Sequence, residues 1–132
     1  MSDQNDTPRI SLVGHCGPDA FALRSSLRSQ FPAATVEMVN DQSSLDEALG
    51  NASLLLVKRE LDGQFKTENG IELIESIVLA DAASKTMLIS NFPDAQAQAE
   101  AVGAVPGFGK TAMYDASTKE RIAAALQSDT VA

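Results

Sequence analysis

Leu54-Leu55-Leu56-Val57-Lys58 is a run of four aliphatic residues that stops at a cation. Apolar residues without polar alternation mark a strand covered on both faces, the setting of a central strand in a parallel sheet. In open parallel sheets, chemistry gathers beyond the carboxyl ends of the strands. The side chain that closes such a strand therefore bears on function. Here it is an ammonium, where a carboxylate would invite metal or phosphoryl chemistry.

Outward from this run, strand and helix patterns alternate five times. Residues 9–13 form a short strand, and Pro18 then stands near the start of a helix with Ala20, Leu23, Leu27 and Phe31 spaced by three and four. Residues 35–39 are rich in β-formers. Asp41 or Ser43 can cap a short helix carrying Leu45, Ala48 and Leu49, and Gly50 ends it. After the strand at 52–57, Ile71, Ile74, Ile77 and Val78 mark a third helix. Residues 86–90 make a fourth strand, Pro93 opens an alanine-rich helix ending at Gly103, and 105–109 is a weak fifth strand. Ser117-Thr118-Lys119-Glu120 has the spacing of a capping box ahead of Ile122, Ala125 and Leu126. Regular βα alternation predicts one α/β domain with a doubly wound parallel sheet. Residues 1–8 read as a disordered leader, 9–127 as the domain and 128–132 as a tail.

Composition narrows the function classes. With 132 residues the chain suits one core, and 44% hydrophobic against 21% charged residues is a globular balance. The net charge of −8 repels phosphate backbones, so nucleic acid is not an expected partner. The apolar stretches are strand-sized, too short for a membrane span. One cysteine, Cys16, allows no intrachain disulfide and suits a reducing cytoplasm.

Ala104-Val105-Pro106-Gly107-Phe108-Gly109-Lys110-Thr111 comes close to a phosphate-binding loop, but Ala104 replaces its first glycine. A phosphate loop feeds directly into a helix whose N-terminus meets the phosphates. Here the nearest clear helix start is at Ser117. No later strand supplies a magnesium-binding Asp, and no other strand ends in one. The match reads as coincidence.

The strand ends are instead closed by Gly14-His15-Cys16-Gly17, Lys58, Ser90-Asn91 and Lys110-Thr111. Together with Leu54 to Leu61, Asn69-Gly70-Ile71-Glu72-Leu73-Ile74, Thr86 to Asn91 and the stretch from Ala101 to Lys110, this layout resembles the receiver domain of bacterial two-component response regulators, from Arg9 to Leu126. The resemblance implies a (βα)₅, flavodoxin-like sheet in the order 2-1-3-4-5. It also implies roles. Ser90 matches the hydroxyl that contacts the phosphoryl group, and Lys110 the lysine that pairs with it. Lys58 takes the place of the phosphoacceptor aspartate, and Gly14 and His15 that of the acidic pair that holds magnesium. Gly107 replaces the switch aromatic, Thr111 the proline after the lysine, and the loop after Leu61 is longer than usual.

Phosphoryl transfer to such a domain needs a carboxylate nucleophile and oxygen ligands for Mg²⁺. An ammonium at 58 is neither. The expectation is a degenerate receiver, not an enzyme, with no cofactor and no metal, acting by phosphorylation-independent contact with a signalling kinase, an output protein or itself. With no DNA-binding or catalytic output segment read in the chain, any effect passes through that partner. Lys58 either ends its strand and reaches solvent, pairing with Glu60, Asp62 or Asp19, or joins Lys110, Ser90 and His15 in a donor-rich pocket for a small anion. A further reading has Lys58 fill the site with fixed charge and lock one conformation. His15 and Cys16 are read as loop residues: two neighbours are too few for a metal site. A flat small-residue helix face with Ala95 and Ala99, beside Phe92, Met113 and Tyr114, is an expected docking surface, and Phe65 a second exposed apolar candidate.

Overall fold

In the computed structural model, which describes residues 8–15, 17–49, 52–80 and 84–127, the aliphatic run lies at the centre of the molecule. It is β3 (Leu54–Lys58), flanked by β1 (Arg9–Val13) and β4 (Lys85–Ile89), with β2 (Thr35–Val39) and β5 (Val105–Phe108) at the edges. All pairings are parallel and the order is β2-β1-β3-β4-β5. The pleat of β3 explains its composition. Leu55 and Val57 join a core shared with α2 (Gln42–Ala48), α3 (Gly70–Leu79) and α4 (Pro93–Ala101). Leu54 and Leu56 face the other core, under α1 (Gly17–Gln30) and α5 (Ala116–Gln127). All four aliphatic residues are fully buried, each contributing about 1.5–3 kcal/mol.

Helix ends follow local chemistry with one exception. Asp41 caps α2, its carboxylate accepting from the Ser44 N–H at 2.8 Å. Asn69 caps α3, accepting from the N–H groups of Ile71 and Glu72. Pro93 opens α4. The expected capping box at Ser117 is not used. α5 begins at Ala116, the Asp115 carbonyl accepts from the N–H groups of Thr118 and Lys119, and the buried Thr118 hydroxyl donates to Ala112 O. Ser117 is therefore already inside the helix. Gly50, most of the leader and the tail at 128–132 lie outside the described residues.

Three residues of the expected docking face point inward. Ala95 and Ala99 pack in the α2/α3/α4 core, and Met113 packs in the other. Phe65 is partly buried and packs against the first core. Phe92 and Tyr114 alone of that group are exposed, at 57% and 69%.

Candidate functional site

Every strand end named from the sequence arrives at one cleft. A cavity of about 60 Å³ is lined by His15, Asp19, Lys58, Ile89, Ser90, Asn91 and Lys110. That is room for a few waters. Cys16 lies outside the described residues.

The cleft's cations are paired within the chain. Lys58 donates to the Asp62 carboxylate at 2.9 Å. Lys110 reaches both oxygens of Asp19, at 3.0 and 3.1 Å. Of the readings of Lys58, the pairing with Asp62 is the one seen, and the expected pocket of donors with few acids is corrected: Asp19 of α1 lines it and Asp62 of the β3–α3 loop meets Lys58 beside it.

His15 is a loop residue, as expected, but a buried one. It is 5% exposed, and Nε2 lies 2.9 Å from Leu56 O. A carbonyl only accepts, so Nε2 carries the proton and the neutral ring donates. Burial chiefly pushes its pKa below the usual 6.5, and the ammoniums of Lys58 and Lys110 push the same way; the Leu56 carbonyl and Asp19 oppose them.

Gly14 is shaped by the longer loop. Its φ is +76°, and a Cβ there would lie 2.5 Å from the Leu61 side chain. Gly14 donates to Val39 O, while Asp62 N–H donates to Gly14 O. The loop then runs back as a short ladder, with Leu61 N–H on Glu68 O and Gly70 N–H on Arg59 O. Its tip is held to the β2–α2 connection by Gln42 N–H on Gln64 O and Gln64 N–H on Asn40 O. The loop therefore roofs the end of β1, where the resemblance would put the metal-binding acids, and is tied to the end of β2.

On the other side, Ser90 Oγ accepts from the Phe92 N–H, and Ser90 N–H donates to Phe108 O. Asn91 Oδ1 accepts from the N–H and hydroxyl of Thr111. The stretch resembling a phosphate loop is spent in these contacts. Gly107 and Phe108 belong to β5, and Lys110–Ala112 is one 3₁₀ turn, a helical start closer than the sequence suggested. An aromatic side chain could not stand at 107, since a Cβ there would meet Leu88 O at 2.1 Å.

Magnesium does not fit these residues. Gly14 brings no oxygen side chain, His15 is turned to Leu56, and ammoniums flank the cavity. Among the described residues no group of three or more His, Cys, Asp or Glu could hold a metal ion. Sequence reasoning did not identify Asn91's tie to Thr111, Asp19's grip on Lys110 or Leu61's place over Gly14. The four-residue spacing of Lys58 and Asp62 was the one local signal.

A scan against protein-family models finds no match, and no curated protein matches the chain. Solved structures do. A signal receiver domain from Vibrio parahaemolyticus superposes with a TM-score of 0.77 at 15% identity, covering 95% of this chain and 94% of its own. A response regulator from Thermotoga maritima gives 0.72 at 19% identity, over 92% and 99%. The signal receiver domain of a DNA binding response regulator from Colwellia psychrerythraea gives 0.69 at 18%, over 88% and 95%. Identities this low speak to architecture. The fold is that of a response-regulator receiver domain.

Proposed function

We propose that this chain is a receiver-like signalling module whose strand-end cleft is filled by its own side chains, and which acts by protein contact without being phosphorylated. The observation that carries the reading is the pairing of both cleft lysines with carboxylates of the same chain, Lys58 with Asp62 and Lys110 with Asp19. An ammonium at the close of β3 can neither attack a phosphoryl group at neutral pH nor ligate a hard cation. The site is then a fixed joint between α1, the β3–α3 loop and β5, and the domain is not an enzyme. Its single cysteine suits the cytoplasm, and no helix among the described residues is long and apolar enough to cross a membrane. Its partner is a signalling kinase, an output protein or a second copy.

A small-anion sensor is the other reading, favoured by the cavity between Lys58 and Lys110. An anion there must displace both carboxylates. Such exposed pairs are individually weak, about 0–1 kcal/mol, so the exchange is testable. Thermal melts with phosphate, sulfate or Mg²⁺ at matched ionic strength decide. The closed cleft predicts no shift beyond that of potassium chloride. A bound anion at a hundred times its Kd would add about 2.7 kcal/mol, on the order of 10 °C. An anion-specific rise of that kind, lost in Lys58→Ala or Lys110→Ala, would replace this reading with the sensor.

A further inference from the structure

Helix α2 has only seven residues, roughly 10 Å of helix. Between α2 and α3 runs a groove of about 400 Å³, a size that takes a ring. Leu45, Leu49, Leu73 and Ile77 line it, with Asp46 and Glu72 at its sides and Lys66 at the loop end. On α3, Glu72, Ser76 and Leu79 fall on one stripe by helical period. The stripe is polar at Glu72 and Ser76 and ends at Leu79, which is 79% exposed and lies outside the groove lining.

Charge says what covers it. Helices α2, α3 and α4 carry Asp46, Glu47, Glu72, Glu75, Asp94 and Glu100, and no lysine or arginine. The opposite layer is biased the other way: α1 and α5 bear Arg24, Arg28, Lys119 and Arg121 against Asp19 and Glu120. On α1 the outward stripe is Phe21, Arg24, Ser25 and Arg28, all exposed, with Phe21 at 73%. An exposed aromatic ring followed along the same stripe by two arginines suits a groove with acidic sides.

We propose that a second copy of this chain occupies the groove. Helix α1 of one molecule lies against α2 and α3 of the next, Phe21 entering between Leu45, Leu73 and Ile77, and Arg24 and Arg28 facing Asp46 and Glu72. The two surfaces are different and lie on opposite faces of the sheet, so the contact is head-to-tail and extends beyond a dimer. The net charge of −8 opposes association at long range. Near 0.15 M salt the screening length of about 8 Å suppresses that repulsion and spares the facing charges. This names the partner within the protein-contact reading above and rests on it. A monomeric chain would leave the closed cleft standing, whereas anion-specific stabilisation would overturn the cleft without altering assembly.

Sedimentation velocity near 0.15 M salt, from about 10 μM to about 1 mM, tests it, since small interfaces populate weakly. The wild-type chain is expected to grow in mean size with concentration beyond a dimer. Phe21→Asp and the double change Asp46→Lys with Glu72→Lys should each stay monomeric, and both alter exposed side chains, the latter two on the groove itself. Arg24→Glu with Arg28→Glu should give the same loss without touching an apolar residue. An equimolar mixture of Phe21→Asp and the Asp46→Lys, Glu72→Lys double variant should form a 1:1 dimer and nothing larger, because one intact α1 meets one intact groove. A wild type that stays monomeric throughout, an assembly indifferent to these changes, or a mixture that stays monomeric overturns the proposal.

Discussion

His15 shows how one buried side chain reports the state of the cleft. In the unfolded chain its ring protonates near 6.5, while in the folded chain burial, aided by Lys58 and Lys110, holds it lower. The folded state therefore binds fewer protons than the unfolded state as pH falls through that window. Stability should be flat well above pH 6.5 and decline below it. Asp41, whose carboxyl is depressed below 3.8 by the Ser44 N–H, loses its contribution only in a lower window. Urea midpoints at about pH 7.5 and pH 5.5 should fall for wild type and much less for His15→Gln, whose amide can still donate to Leu56 O. Equal declines in the two proteins would show that His15 is not the titrating group. At this scale Lys58 was legible, because a cation ending an apolar run is visible in the chain. Asp19 as the partner of Lys110 was not, since the two are 91 residues apart and only the fold brings them together.

Elements were legible where residue contrast is strong. β3 and the third helix are written in aliphatic residues at strand and helix periods, and they appear where those periods place them. Helix α4 alternates alanine with glutamine and acids, so nothing in its sequence orients it. Its small residues turn inward and let it approach the sheet, against the expectation of an outward docking face. The capping pattern at Ser117 failed because the helix starts before it: the Asp115 carbonyl already accepts from the Thr118 and Lys119 N–H groups. The β4–β5 seam was legible only as weak. Between the pairs Met87–Val105 and Ile89–Phe108, β5 carries one residue more than β4, and Pro106 brings no N–H. Gln96 of α4 mends this, its amide donating to Leu88 O, Ser90 O and Phe108 O. Gln96→Ala should cost about 1–3 kcal/mol by leaving these carbonyls poorly satisfied, and should speed amide exchange in β5 before the rest of the sheet. Exchange that stays uniform across the strands would remove Gln96 from that role.

At the scale of the whole molecule, alternation predicts a doubly wound parallel sheet and the resemblance its strand order, and the solved structures share that architecture at under a fifth identity. Fold fixes where a site lies, and side chains fix what it does. Here the strand ends converge as the resemblance implies, yet loop, helix and strand fill the cleft with mutually paired groups. The longer β3–α3 loop was visible in the sequence, but its place over Gly14 depends on long-range backbone bonds that no local pattern encodes. The central claim is that the cleft does not accept a phosphoryl group. Intact-mass spectrometry after incubation with acetyl phosphate and Mg²⁺ tests it most directly. The account predicts a single unmodified mass, and a species heavier by one phosphoryl group on the folded domain would contradict it.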